Sequence, residues 1–258
     1  MIDDFLNKII NGDSTLLIKE IPDSTIDLAI LDPPYLTTKE KWDKVDVISD
    51  EFVKDLFRVL KNTGSVYVWC GLGEKSQSLI NWFPIFKEYF YFKDLITWKK
   101  TRGIGMKRGW LYTREEIMWF VKDNKKFFWN EKNQYSNEER KLYGFYKNGV
   151  SMRDKMKSKY KRWTNVWVDV PEITFYNSKE YRSFGKFHYT PKPEKLIERI
   201  VLCSSKEGDL VFDPFCGSGV TAVVSKKLNR NFICVDIDPD YCKLAQGRLL
   251  KNNEISKG

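Results

Sequence analysis

The 258-residue chain is poor in the residues that many enzymes rely on: it has one histidine, His188, and five cysteines, none spaced as CxxC. A single histidine argues against a Ser-His-Asp hydrolase and against a multi-histidine metal site. The cysteines (Cys70, Cys203, Cys216, Cys234 and Cys242) are odd in number and lack metal spacing. They suggest neither a disulfide framework nor a zinc cluster, no metal is expected, and a reducing cytoplasm is the simplest setting. No apolar run approaches the roughly 18 residues that would span a bilayer, so no membrane partner is expected. The opening MIDDFLNKII carries two acids and no basic stretch, unlike a signal peptide. Internal repeats and low-complexity tracts are also missing.

What the chain has is apolar and basic. Hydrophobic residues make up 42% and aromatics 15%, enough for a globular core of one or two domains. The net charge of +9 favours a polyanionic partner, although basic proteins without one are as common.

The first third reads as α/β. Ile26–Leu31 is a short apolar run of the kind found in buried parallel strands, and the prolines of Asp32-Pro33-Pro34-Tyr35 stop it. Phe52, Leu56, Val59 and Leu60 recur at helical spacing, with Asn62-Thr63-Gly64 expected to close that helix. A strand over Ser65–Cys70 and a helix near Ser76–Phe83 follow. Leu95–Lys99 and Ile117–Lys122 read as strands around a glycine-broken basic loop. From Asp123 to about Phe187 the chain is polar, basic and aromatic, as in an inserted lobe with little core of its own. The last third alternates again: helix over Pro193–Ser204, strand Leu210–Phe212, helix Val220–Leu228, strand Asn231–Val235 and helix Asp240–Leu250. This alternation predicts a mostly parallel sheet covered on both faces.

Two loops carry chemistry. Phe212-Asp213-Pro214-Phe215-Cys216-Gly217-Ser218-Gly219 joins a strand to a helix, and Asp236 ends the next strand 23 residues after Asp213. Glycines let backbone approach a ligand, the helix N-terminus faces an anion, and an acid at that distance can grip a ribose. The third glycine of GxGxxG is missing. A nucleoside with an amino acid tail therefore suits the loop better than a pyrophosphate, and an ordinary βα turn remains the plain alternative.

The second loop is Asp32-Pro33-Pro34-Tyr35. Methyl transfer to an exocyclic amine must turn a delocalised lone pair toward tetrahedral geometry. A carboxylate (Asp32) and a backbone carbonyl (Pro33) can each accept one N–H and impose it. Pro33 and Pro34 stiffen the turn, and Tyr35 can stack on a base taken out of the duplex. The plain alternative is a strand end where Asp32 caps and Tyr35 packs.

With these loops in this order, the chain resembles the amino DNA methyltransferases of the β-class arrangement. There DPPY comes first, a target-recognition region second and the glycine loop last. The resemblance spans roughly residues 10–250 apart from the middle lobe. It includes Gly12-Asp13-Ser14, Thr97-Trp98-Lys99-Lys100, and His188-Tyr189-Thr190-Pro191-Lys192-Pro193, which departs from the family's HPTxKP at Tyr189 and Pro191. It implies a Rossmann-like S-adenosylmethionine-dependent methyltransferase fold with a seven-stranded sheet, one strand antiparallel, and helices on both faces. It implies a catalytic domain over 1–122 and 188–258 and a target-recognition insertion over 123–187. The implied S-adenosylmethionine pocket is lined by Asp32, Asp213, Phe215, Cys216, Gly217, Ser218, Gly219 and Asp236. Lys192 would lie near the methionine tail, and Asp13 and Ser14 at the adenine ring. His188 reads as structural. An aspartate opening the tetrapeptide leans toward adenine N6, and a serine would lean toward cytosine N4.

Two basic stretches are candidates for contact with double-stranded DNA: Lys99, Lys100, Arg102, Lys107 and Arg108, then Arg153, Lys155, Lys157, Lys159, Lys161 and Arg162. Tyr160, Trp163 and Trp167 lie among the second and can stack on bases. Either run alone reads equally well as a solvated charged face. The loop Thr37–Val47, with Trp42 and Asp43, follows the tetrapeptide and could close over a flipped base. The expected activity is adenine-N6 methylation of a specific DNA sequence by base flipping, in the cytoplasm and on the nucleoid. A homodimer and a cognate restriction endonuclease are compatible partners. Cytosine N4 or an RNA base as target, a nucleic-acid-binding homologue without turnover and, more remotely, an NAD-dependent oxidoreductase are the alternatives.

Overall fold

The computed structural model describes residues 2–37, 46–73, 76–104, 108–140, 146–152, 155–173 and 191–255, without the side chains of 102–104 and 251–255. In chain order the first elements are β1 (Lys8–Asn11), α1 (Ser14–Leu17), β2 (Ile26–Leu31), α2 (Asp50–Val59), β3 (Leu60–Cys70) and α3 (Ser78–Tyr89). The long hairpin β4 (Tyr91–Ile104) and β5 (Tyr112–Val121) follows. Short strands come next: β6 (Tyr135–Glu139), β7 (Tyr146–Lys147), β8 (Val150–Ser151), β9 (Tyr160–Arg162) and β10 (Val166–Trp167). The chain closes with α4 (Glu194–Ser204), β11 (Leu210–Asp213), α5 (Val220–Lys227), β12 (Asn231–Asp236) and α6 (Pro239–Ile255).

Among the described residues the main sheet has the order β1-β12-β11-β2-β3-β5-β4-β10, and only β5 runs against the rest. It thus has eight strands where seven were expected. The eighth is the two-residue β10, paired parallel to β4 through Val166↔Thr97 and Trp167↔Trp98. The chain runs outward from β2 toward β3 and outward again from β11 toward β12, so the order reverses between β2 and β11. That reversal opens a crevice at the carboxyl ends of the strands, where open α/β sheets bind ligands.

Strand periodicity builds the two faces. Alternate residues point to opposite sides. Ala29 and Leu31 of β2, Val66 and Val68 of β3 and Phe212 of β11 pack with Phe52, Val53, Leu56, Trp82 and Phe86 of α2 and α3. Leu28 and Ile30, Tyr67 and Trp69, and Val211 face the other way, onto Leu196, Ile197, Ile200 and Val201 of α4 and Val220 and Val224 of α5.

Helix α2 begins at Ser49, whose hydroxyl accepts the Phe52 N–H at 3.1 Å, with Asp50 and Glu51 in its first turn. It ends before Leu60, earlier than Asn62-Thr63-Gly64, which belong to β3. The Lys122 ammonium sets that end: it donates to the carbonyls of Phe57 and Leu60, both at 2.6 Å, and satisfies groups that a continued helix would have used.

The span read as a separate lobe is partly woven into the main body. Trp167 and Val170 belong to the core beneath α4. The Trp98 indole donates to the Val170 carbonyl at 2.8 Å, and Thr97 N–H to Asn165 at 2.8 Å. The Arg199 guanidinium of α4 lies 3.6 Å from the Trp163 ring centre and 4.8 Å from that of Trp167, while pairing with Asp169 at 2.8 Å. These two tryptophans, named above as able to stack on bases, tie the 155–173 segment to α4 by cation–π contact.

Candidate active site

Register brings the two motif loops together. Phe212 of β11 pairs with Ala29 of β2, and Asp213 pairs with Cys234 of β12. Asp32, Asp213 and Asp236 therefore end three neighbouring parallel strands on one edge. Asn11 of β1 pairs with Asp236, and its amide donates to the carbonyls of Asp236 and Ile237 at 3.1 and 3.0 Å. This latches Gly12-Asp13-Ser14 beside the same edge.

Asp32 is half-buried and both of its oxygens are engaged. Tyr35 donates its phenol to Oδ1 at 2.8 Å, and the Lys192 ammonium lies 2.8 Å from Oδ2. Lys192 also lies 3.3 Å from Glu115, and Glu115 is ion-paired to Lys100 on β4. Lys192 is 7% exposed and Glu115 9%, so the two central charges of the four are buried, with Asp32 and Lys100 partly exposed on either side. Burial opposes the Lys192 charge, yet Asp32 and Glu115 hold the ammonium above the ordinary lysine range. Burial pushes the Tyr35 phenol well up, and Asp32 adds to it, so the phenol stays a donor. The Tyr35 ring leans on Trp82, 6.3 Å between centres, rather than standing clear of the wall. After the turn, Leu36 takes φ 59°, a left-handed conformation uncommon for a branched residue, which bends the chain sharply away.

The glycine loop is held from within. Asp213 is buried, accepts the Phe215 N–H at 3.0 Å and takes the Thr221 hydroxyl. Its carboxyl therefore shapes the loop rather than opening into the crevice. Burial pushes it up to about 7. Asp236 accepts the Gly217 N–H at 2.7 Å and that of Asp238 at 2.9 Å, and burial pushes it up to about 6. Cys216 packs into the core with Cys234 and Ala245. Phe215 leans on Phe52, 5.8 Å between centres. Ser218 is buried next to Arg248. Asp13 caps α1, accepting from the N–H and hydroxyl of Thr15 at 2.8 and 2.7 Å, with Ser14 buried behind it.

The structure gives several of the expected site residues partners within the chain. Lys192, expected at a methionine tail, sits on Asp32. Lys100, expected on DNA, is committed to Glu115. Lys99, Arg108, Lys155 and Arg162 are exposed. Lys157, Lys159 and Lys161 are exposed too, but pair with Glu131, Glu139 and Glu138 at 3.2, 2.8 and 2.7 Å, so that run is a mixed-sign surface rather than a basic one. Trp110, 94% exposed between Arg108 and the start of β5, adds an aromatic to the first stretch. His188, Thr190, Lys107, Arg153, the side chain of Arg102 and residues 38–45 with Trp42 and Asp43 lie outside the described residues. Glu115 was missed, although two adjacent acids inside the apolar strand Tyr112–Val121 are the signal that marks it. Among the described residues no cluster of three metal-ligating side chains occurs, and no helix is long and apolar enough to cross a membrane.

The donor set fits a nucleoside carrying an amino acid: carboxylates for hydroxyls and amines, a glycine turn and a helix N-terminus, with no cationic cradle for a pyrophosphate among the described residues. A mostly parallel sheet with such a crevice and a carboxylate facing it defines a cofactor-dependent group-transfer enzyme of Rossmann-like fold. The chain belongs to the DNA methylase family, whose model matches residues 26–247, and whose members transfer the methyl group of S-adenosylmethionine to DNA. Among its relatives, the type II methyltransferase M.HpaI of Haemophilus parainfluenzae is 34% identical over 252 residues, covering 94% of this chain and 74% of that protein. The DNA adenine methyltransferase YhdJ of Escherichia coli is 32% identical over 256 residues, covering 93% and 82%. The PvuII DNA methyltransferase, cytosine-N4-specific, shares the fold with TM-score 0.68 at 19% identity over 96% of this chain and 90% of that one.

Proposed function

We propose that this chain methylates N6 of adenine within a specific sequence of double-stranded DNA, on a base swung out of the helix. The observation that carries the reading is the position of Asp32: an aspartate at the tip of β2, beside the glycine loop and at the reversal of strand order. S-adenosylmethionine supplies an electrophilic methyl group on a sulfonium. Gly217 and Gly219 would let the backbone approach it, Asp236 would hold its ribose, and Asp13 and Ser14 would line its adenine. Asp32 accepts one N–H of the target amine and the Pro33 carbonyl the other. The nitrogen lone pair is thereby drawn out of the ring and aimed at the methyl carbon. The base must leave the stack for its amine to reach a carboxylate at a sheet edge.

DNA approaches over the turn end of the β4–β5 hairpin, near Lys99↔Arg114, where Lys99, Arg108 and Trp110 are exposed. Residues 123–187 supply target recognition, and 1–122 with 188–258 the catalytic domain. The reading puts the enzyme in the cytoplasm on the nucleoid, and a homodimer or a cognate restriction endonuclease is compatible with it.

Adenine is favoured by the aspartate opening the tetrapeptide and by the relation to an adenine methyltransferase. Cytosine N4 is the second reading, because both bases offer an exocyclic amine and a cytosine-N4 enzyme shares the fold. Exposing DNA to the chain and S-adenosylmethionine, then digesting it to nucleosides, decides between them. N6-methyladenine is expected, and N4-methylcytosine alone would overturn the adenine reading. Asp32→Ala is expected to abolish transfer while the fold persists.

A further inference from the structure

Glu115 stands on β5, an antiparallel strand of the main sheet, paired with Trp98 of β4. Its neighbours along the strand, Ile117 and Met118, are fully buried. A carboxylate in such a place is retained only if it is paired. It is paired twice, with Lys100 across the hairpin and with Lys192 at 3.3 Å. Burial pushes the Glu115 carboxyl up, but Lys192 and Lys100 together outweigh burial and hold it below the ordinary range, so it is anionic.

Lys192 has a second carboxylate, Asp32, at 2.8 Å. This creates a conflict at the site. The Asp32 oxygen that must accept the target amine is covered by an ammonium, and the other carries the Tyr35 phenol. If the amine takes Oδ2, Lys192 loses its nearer partner while still buried, and an unpaired buried charge is costly. Glu115 lies within reach to hold it.

We propose that Glu115 is a positioning residue that takes over Lys192 when Asp32 engages the target amine. Lys100 keeps Glu115 charged for that role. The proposal rests on the reading of Asp32 as acceptor of the target amine, and goes beyond it by naming the group that frees the acceptor. Without Glu115, Lys192 has one carboxylate left, stays on Asp32, and competes with the amine for it. The loss then falls on turnover and not on cofactor affinity, and it passes entirely through Lys192.

A double-mutant cycle on the full chain tests this: wild type, Glu115→Gln, Lys192→Met and the double variant, assayed on DNA that the wild type methylates. Glu115→Gln is expected to lower kcat roughly ten- to a hundredfold. Its Kd for S-adenosylmethionine by calorimetry should stay within about threefold of wild type. In the Lys192→Met background the same change should alter kcat by less than about twofold, since the competitor is already gone. Three results would each overturn the proposal: unchanged kcat in Glu115→Gln, a loss confined to cofactor affinity, or equal losses in both backgrounds. The last would mark Glu115 as a structural ion-pair partner only. Should Glu115→Gln fail to fold by circular dichroism, Glu115→Asp carries the same cycle, keeping the charge and withdrawing it by one methylene. A wild type that methylates no DNA would remove the reading of Asp32 and this proposal together, whereas an active wild type confines the result to Glu115.

Discussion

The Asp236 carboxylate receives the backbone N–H of Gly217 at 2.7 Å, so the acid proposed to hold the ribose also fixes the curvature of the glycine turn. Asp236→Ala removes both functions. Hydrogen bonds to a charged group are worth roughly 1.5–3 kcal/mol. Affinity for S-adenosylmethionine is therefore expected to fall about ten- to a hundredfold by calorimetry. Asp236→Asn keeps an acceptor for Gly217 and should lose less. An unchanged Kd in the alanine variant would remove Asp236 from the pocket.

The same acids make stability depend on pH in a definite direction. Burial pushes Asp213 up to about 7 and Asp236 up to about 6, above their ordinary values in the unfolded chain. Between about pH 4 and pH 7 the native state thus holds protons that the unfolded state has released, and stability declines as pH rises through that window. Glu115 and Asp169 are held low by their cationic partners and act oppositely, losing stability only as the medium becomes more acidic than their ordinary range. Thermal melts from pH 5 to pH 8 should show a falling midpoint. Asp213→Asn should flatten that fall and gain most at the alkaline end. Parallel curves for variant and wild type would contradict the assignment.

Residues that act through local sequence were legible, and residues that act across the sheet were not. Asp32-Pro33-Pro34-Tyr35 and Phe212–Gly219 each end a strand with its own breaker, so strand, turn and chemistry are written in a few consecutive letters. Their adjacency followed from the α/β alternation, which the β2–β11 pairing bears out. Glu115 was not found because its meaning comes from Lys192 and Lys100, which strand pairing and the chain's return along the edge bring to it. The lysines of 157–161 were read as one basic run because their glutamate partners lie on Glu131 and on β6, distant in sequence. The end of α2 was misplaced for a similar reason. A lysine 62 residues beyond Leu60 closes it, where a glycine was expected to.

Those ion pairs change what the basic stretches should do in a salt titration. Each phosphate contact contributes about −0.9 to the slope of log K against log salt. Lys99→Ala and Arg108→Ala, at exposed positions on the hairpin, should each flatten the slope by about that amount. Replacing Lys157, Lys159 and Lys161 together should flatten it by less than about three such contacts, because Glu131, Glu138 and Glu139 already answer those charges and repel phosphate. Slopes that respond only to the 157–161 change would move the DNA face from the hairpin to β9.

Gly219 combines two constraints that a substitution can separate. Its φ is +73°, in the left-handed region, and a Cβ there would stand 2.5 Å from the Cβ of Ala245 and 3.0 Å from its Cα on α6. The first constraint costs a non-glycine residue about 1–2 kcal/mol. The second is overpacking against a helix backbone, worth about 1–3 kcal/mol. Gly219→Ala is therefore expected to destabilise the fold by roughly 2–5 kcal/mol in urea unfolding, and to weaken cofactor binding because the turn moves with α6. Adding Ala245→Gly relieves the collision with Cβ but leaves the left-handed backbone, and itself weakens α6 by about 1 kcal/mol. The double variant should accordingly recover part of the loss and no more. Full stability in Gly219→Ala alone would mean that α6 yields to the extra carbon, and the close approach of loop and helix would then be no constraint on the cofactor turn.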